Sequence, residues 1–334
     1  ESRGDRRRLE LGLVAVVFVG LFVYAWRGIQ SQLLYYGFGV FTAYPVFSWE
    51  GSFLWSVLST AGGAMNSLAA LLAQAYRSPS LGALVIVAAL GALFAGMRNL
   101  LRSTQADRLR DLAWAPVILA MMVYNRCDDP LAALLAVSLS VGMAALYNTI
   151  VMKPLAVRAG AFLILFAVTY WLAGGSAFVF ACTVCLIEAL LYRRGIAGVI
   201  EAVLASGGAL VLGRWVFGLA PRAIWTVGTF WDSARNGGFS PLSSLLMVVL
   251  YAFVPALVVA VFLGRILAAM GDRTRRGRRA RGAKPAQDDE QVGRRRTGDS
   301  RLGIGVRMLA VVVMAAMGLV SSRNYIRDER ILNY

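Results

Sequence analysis

Apolar blocks of about 15 to 23 residues, long enough to cross the hydrocarbon core of a bilayer or nearly so, recur along this chain with short charged stretches between them. No soluble architecture absorbs that pattern. The 334 residues are 58% hydrophobic, with a mean hydropathy of +0.64 and only 16% charged residues, against roughly 25% charged in an average soluble domain. A soluble chain of this length divides into two domains with polar surfaces, and these blocks leave no residues for such surfaces. Lipid is the solvent that accepts them.

The blocks fall at approximately 9–26, 81–97, 112–125, 131–152, 155–173, 177–192, 196–213, 241–264 and 302–320. At 1.5 Å per residue about 20 residues span the hydrocarbon, and shorter blocks serve where flanking side chains snorkel or the bilayer thins. The expected fold is all-α: a polytopic transmembrane helical bundle of about nine helices, with amphipathic surface helices in the first outer loop. The short block 112–125 contains Pro116, so an eight-helix arrangement with 112–152 rearranged is the competing count. The first block follows Arg6, Arg7 and Arg8 as a signal peptide would, but no small-residue cleavage site follows it. It reads as a retained helix. The chain begins at Glu1 rather than Met, and we expect it to be a segment of a longer protein.

Net charge is +16, and the position of the basic residues matters more than the total. Alternate gaps between blocks hold 24 Lys or Arg in one set (around Arg3–Arg8, Arg98–Arg110, Lys153 and Arg158, Arg193 and Arg194, and Arg265–Arg301) and nine in the other. Basic residues near helix ends stay on the cytoplasmic side. The amino terminus is therefore expected inside a bacterial inner membrane, and the carboxyl terminus outside, in periplasm or extracellular space. The organisation that follows is a first region, 1–271, with eight helices and an outer-face platform at 28–80; a disordered basic cytoplasmic linker at 272–301; and a ninth helix opening an outer segment at 302–334.

The platform is long but not polar. Tyr35, Tyr36, Phe38, Phe41, Tyr44, Phe47, Trp49, Phe53 and Trp55 crowd its first half as an interfacial aromatic belt does. After Gly62-Gly63, the residues Met65, Leu68, Ala69, Leu72 and Tyr76 keep helical spacing, which predicts an amphipathic helix along the outer leaflet. In 272–301, Arg and Lys alternate with Gly, Ala, Pro and Asp. That tract reads as a solvated anchor on anionic lipid, at about 1 kcal/mol per basic residue near the surface, in preference to a nucleic-acid site. The outer loop 214–240 mixes Arg214, Arg222, Asp232 and Arg235 with Trp215, Trp225, Phe230 and Trp231.

Few residues carry recognisable chemistry. There is no His, and Cys127, Cys182 and Cys185 cannot build a disulfide framework; no metal and no cofactor is expected. The CxxC of Cys182 and Cys185 lies in an apolar helix and reads as small packing residues. Gly207, Gly208 and Gly213 read as residues of close helix contact. Glu188 and Glu201 are intramembrane carboxylates, functional candidates by default, yet each lies within five to eight residues of Arg193 and Arg194, with which it could pair at the inner end. On the outer face Glu50, Asp128 and Asp129 are the catalytic candidates. Arg126, Arg214, Arg222 and Arg235 are the candidates for holding a phosphate or lipid headgroup.

The run Gly62-Gly63, four residues, Leu68, two residues, Leu71-Leu72, one residue, Gln74, seven residues, Gly82-Ala83 carries a resemblance. With the aromatic stretch before it and the block Trp114 to Tyr124 after it, residues 10–150 resemble a family of bacterial polytopic membrane proteins classed as a domain of unknown function. The resemblance implies a membrane region followed by a larger extracytoplasmic portion. It carries over no catalytic residue.

Three readings compete. The first is a membrane platform presenting an extracytoplasmic portion. The second is an outer-face transferase that takes a sugar or similar group from a lipid phosphate, in the manner of polytopic glycosyltransferases; it needs Glu50, Asp128 or Asp129 beside a ligand-sized cavity. The third is a transporter, which needs a polar path from Glu188 or Glu201 to the opposite side and is excluded by continuous apolar packing above both. Protein partners are not legible.

Overall fold

The computed structural model describes residues 3–29, 31–36, 47–125, 129–150, 154–231 and 241–280. Among these residues no strand occurs, and the all-α reading holds. The helices are α1 (Arg3–Gly28), α2 (Ser31–Tyr36), α3 (Gly51–Leu58), α4 (Gly63–Ala73), α5 (Pro79–Ser103), α6 (Trp114–Tyr124), α7 (Leu131–Tyr147), α8 (Leu155–Ala173), α9 (Ala177–Leu186), α10 (Gly195–Val211), α11 (Ala223–Thr226) and α12 (Pro241–Ala280). Helices α9 and α10 each continue into a single π-helical turn, Ile187–Leu191 and Leu212–Val216.

Six described stretches are long and apolar enough to cross a membrane: Leu11–Gly28, Pro79–Ser103, Leu131–Asn148, Leu155–Leu191, Gly195–Val216 and Pro241–Ile266. The fourth, 37 residues long, folds back at Gly174–Ser176 into α8 and α9. Helix α6 has 11 residues, about 16 Å at 1.5 Å per residue, too short to cross alone. Its Pro116 lies in the first turn, where a missing N–H costs nothing. Helices α1, α5, α6, α7, α8, α9, α10 and α12 thus overlap the first eight expected blocks; the ninth, 302–320, lies outside the described residues. Helix α12 runs on to Ala280, into the start of the basic tract expected to be disordered, and the rest of 272–301 also lies outside them.

Helix α7 is the centre, with Leu134, Val137, Val141 and Ala144 fully buried at helical spacing. Its main neighbour is α5, which buries Ile86, Leu90, Leu93 and Met97. Gly96 of α5 lies on this contact, where a Cβ would stand in ordinary van der Waals contact with the Ser138 carbonyl oxygen and the Val141 side chain. Helix α1 docks on α5 and α6 through Phe18, whose ring centroid is 5.7 Å from that of Phe94 and 5.5 Å from that of Trp114.

Tertiary hydrogen bonds show that the helices alternate in direction. At one end, here the basic end, Arg265 of α12 donates to the Thr104 carbonyl beyond α5, Asn148 beyond α7 donates to Ser103 (3.0 Å), and Tyr192 beyond α9 donates to Asn148 (3.0 Å). At the other, the aromatic end, Tyr24 of α1 donates to Asn125 beyond α6 (2.9 Å), and Ser31 of α2 to the carbonyl of Tyr76 (3.3 Å). Between the ends the outer surface is apolar: Val203 is 65% exposed, Ile164 66% and Val16 71%. Water-soluble proteins rarely show so extended an apolar girdle, whereas lipid accepts it at no cost.

The aromatic end is built differently from an ordinary set of helix ends. The α8–α9 turn meets α7 and α12 near the middle of their apolar lengths, because Ser140 donates to the Ser176 carbonyl (2.9 Å) and the Ser176 and Tyr251 hydroxyls share a hydrogen bond (2.8 Å). Helix α4, packed on α7 and α8, and the segment around α11 reach this turn. Helix α4 is seated by small residues, Gly63, Ala69 and Ala73, while Leu68 stays on its open side. Helix α3 has no buried residue and is the surface helix of the region; Trp49 before it and Trp55 within it are 75% and 76% exposed.

Candidate functional site

Four side chains from four elements meet inside the basic end. Tyr147 closes α7, Arg158 lies one turn into α8, Glu188 sits in the π turn after α9, and Glu201 lies two turns into α10. Arg158 is 3% exposed, Glu188 0% and Glu201 1%. The guanidinium pairs with Glu188 Oε1 and stands 3.8 Å from Glu201 Oε1. The Tyr147 hydroxyl donates to Glu201 Oε1 and lies 3.4 Å from Glu188 Oε1. Both Oε2 atoms are buried without a hydrogen-bond partner.

Local sequence explains how the acids come together. A π turn adds a residue to the helix and re-aims the side chains that follow; such turns are rare and cluster at functional sites. Gly198 completes the approach, because a Cβ there would stand 2.9 Å from the Cys185 carbonyl oxygen and 3.2 Å from the Ala189 side chain. One helical turn later, on the same face, comes Glu201. Arg193 and Arg194, the partners expected from sequence nearness, are exposed, and Arg158, from another helix, brings its guanidinium to both carboxylates. The ring of Phe162 caps the cluster, its centroid 6.1 Å from that of Tyr147. It leads into a packed aromatic column: Phe162 with Phe180 (5.4 Å), Phe162 with Phe166 (6.2 Å), and Phe166 with Tyr170 (6.0 Å). These rings are fully buried.

At the aromatic end the packing is made by backbone. Gly62, Gly174 and Gly228 all have positive φ, +77°, +60° and +67°. They touch one another, for a Cβ on Gly62 would lie 3.1 Å from Gly228 Cα and 3.3 Å from Gly174 N. Gly62 N donates to the Trp171 carbonyl (2.9 Å), Gly175 N to the Val227 carbonyl (2.7 Å), and the Trp171 indole to the Leu58 carbonyl (2.8 Å). Three turns are thereby tied into one junction, with buried donors satisfied.

Among the described residues singled out on the outer face, Asp129 is hydrogen-bonded to another part of the chain. Its Oδ1 accepts the Leu131 N–H (3.0 Å), capping α7, and the hydroxyl of buried Tyr76 (3.3 Å). Surrounding protein strips water from the carboxyl and pushes it up to about 6, against the pull of those two bonds. The residue as a whole is nonetheless exposed, so water screens part of that push. Burial, and then the facing Asp129, hold the Tyr76 hydroxyl well above its ordinary value. Glu50 is exposed before α3 and makes no side-chain cap to it. Arg214, in the second π turn, and Arg222, before α11, are both exposed near the junction. Arg126, Asp128 and Arg235 lie outside the described residues, as do Cys127 and Asp232.

Cys182 is exposed and Cys185 half-buried, both as free thiols. Gly213 faces Ile224 and Tyr170 as a close-contact glycine does; Gly208 meets Leu163 and Phe166 only at ordinary contact distance, and Gly207 faces open space. Sequence reasoning missed Arg158 as a partner and Tyr147 altogether. One signal was present: Arg158, grouped with Lys153 on the basic side, is the fourth residue of the apolar block 155–173 and so stands within the helix itself.

No curated protein and no solved structure matches the chain. Residues 7–326 match the sequence profile of a family described as a family of unknown function. That match extends the resemblance seen over residues 10–150 to almost the whole sequence, and the chain belongs to this family, DUF6057.

Proposed function

We propose that this chain is a multi-pass protein of a bacterial-type inner membrane, amino terminus inside, that acts as a platform carrying an extracytoplasmic portion on its aromatic face. The observation that carries the reading is the segregation of the two ends. Helix ends flanked by Arg102, Arg193, Arg194 and Arg265 gather at one end of the bundle, and the exposed tryptophans Trp49 and Trp55 belong to the segment joined to the other. Basic residues stay in the cytoplasm and tryptophans favour the interface. The basic tract 272–301 then lies on anionic lipid of the inner leaflet, and the crossing at 302–320 brings the carboxyl terminus outside.

Single cysteines placed at Arg193 and at Trp225 in a cysteine-free background test the sidedness with a membrane-impermeant thiol reagent on intact spheroplasts. Labelling of Trp225→Cys, with Arg193→Cys reacting only after permeabilisation, is expected. The reverse pattern sinks the orientation and the outer platform with it.

A second reading, group transfer from a lipid-phosphate donor at the outer face, is favoured by one feature: Asp129 is oriented by a buried tyrosine hydroxyl and has a raised carboxyl, as a general base has. Glu50 and Asp128 would be its companions, and Arg126, Arg214, Arg222 and Arg235 the phosphate holders. It requires that Asp129→Asn abolish transfer by the purified, folded chain. For transport, the aromatic column above Glu188 and Glu201 argues against a continuous polar path, since phenylalanine rings offer no group to relay a proton or coordinate an ion.

A further inference from the structure

We propose that the Glu188–Glu201 pair binds one exchangeable proton, held beneath Arg158 and Tyr147 and exchanged from the basic end of the bundle. Arginine is not deprotonated in proteins, so two ionised carboxylates against one guanidinium would leave a surplus negative charge among groups that are 0–3% exposed. An isolated ionised carboxylate is far more costly to bury than a neutral carboxyl, and one proton removes the surplus.

The geometry provides a place for that proton. Arg158 and Tyr147 are directed at the two Oε1 atoms, which leaves Glu188 Oε2 and Glu201 Oε2 buried and unpartnered. Arg158 approaches Glu188 more closely than Glu201, so Glu188 is the better ion-pair partner and Glu201 the better proton carrier. The titratable and charged groups around the pair are Tyr147 on α7, Arg158 on α8, Cys185 on α9, Tyr192 and Arg194 in the connection to α10, and Arg265 on α12. Arg194 is exposed, where water screens its charge, and Arg265 donates to the Thr104 carbonyl.

Access is one-sided. Towards the aromatic end the site meets Phe162, Phe180 and Phe166. Towards the basic end it is bordered by half-buried Tyr192, hydrogen-bonded to Asn148 and through it to Ser103, with exposed Arg193 beyond.

Infrared difference spectroscopy of the full chain in lipid at neutral pH tests it, by reading the carbonyl stretch of protonated carboxylic acids. In either Glu201→Gln or Glu188→Gln, the remaining carboxylate is left to balance Arg158 and ionises. Both variants are therefore expected to lose one protonated-carboxyl band relative to the parent, and that band shifts on transfer to D2O. Asp129 contributes equally to parent and variants and cancels. Arg158→Met, where it folds, gains one band because both acids are then protonated. Retention of the band in either glutamine variant, or a band that does not shift in D2O, overturns the proposal; the glutamine arms decide it even if Arg158→Met does not fold.

Discussion

The two ends of this bundle are closed by opposite means. At the basic end, α7, α8, α9 and α10 converge on charged and hydroxyl side chains of Tyr147, Arg158, Glu188 and Glu201, reaching across gaps the backbones leave open. At the aromatic end, three turns meet with no side chain between them, at Gly62, Gly174 and Gly228. Chemistry joins the first and shape joins the second. An end held by charge should depend on total charge and tolerate isosteric neutral replacements, whereas an end held by backbone contact should be indifferent to charge and intolerant of a single added methyl group.

The largest effect tests the charged end. Glu188→Gln combined with Glu201→Gln strands the Arg158 guanidinium, and removing the partners of a buried charge costs about 3–5 kcal/mol. Each single glutamine variant leaves one carboxylate to neutralise it and should cost well under half as much in reversible unfolding. If the two single losses add up to the double, charge balance is not what holds this end.

Next in size is Gly174→Ala. Its φ of +60° and the Val227 carbonyl in the path of the new Cβ both oppose the change. Strain of that kind costs about 1–3 kcal/mol, read as a lower unfolding midpoint with the infrared carboxyl band unchanged. Gly207→Ala, on a helix with open space at that position, is the matched control and should leave the midpoint unmoved or raise it slightly.

The smallest effect is a pH dependence at Asp129. A carboxyl raised to about 6 in the folded chain, from an ordinary value near 3.8, makes the native state bind more protons than the unfolded state between those values. Stability should therefore fall as pH rises from about 4 through 6 and level off above. Because the residue is exposed, the fall should stay below about 1 kcal/mol, and Asp129→Asn should flatten it. A rise in stability over that range, vanishing in Asp129→Asn, would instead show a carboxylate stabilised by its Tyr76 and Leu131 bonds.

What the sequence made legible follows the same division. Helix class and block positions were readable because hydropathy is local: each apolar run declares its solvent wherever it packs. The charged cluster was not, since Glu188 and Glu201 stand nearest in sequence to Arg193 and Arg194, while Arg158 reaches them only because α8 packs beside α10. The Gly62-Gly63 pair was visible as a helix breaker, but nothing near it in sequence indicates that it meets Gly174 and Gly228, more than a hundred residues away. Asp129 was visible as an outward acid, and its tyrosine partner lies in the preceding loop region, 53 residues distant. Local physics fixed the elements, and long-range packing chose their partners.

Both ends are ends only if lipid surrounds the middle. A nitroxide at Val203, an exposed apolar position on α10, compared with one at Arg193, reads this in reconstituted vesicles through collision with oxygen and with a water-soluble paramagnetic reagent. High oxygen and low aqueous accessibility at Val203, reversed at Arg193, is the predicted result. Equal aqueous accessibility at the two positions would contradict a membrane-embedded bundle.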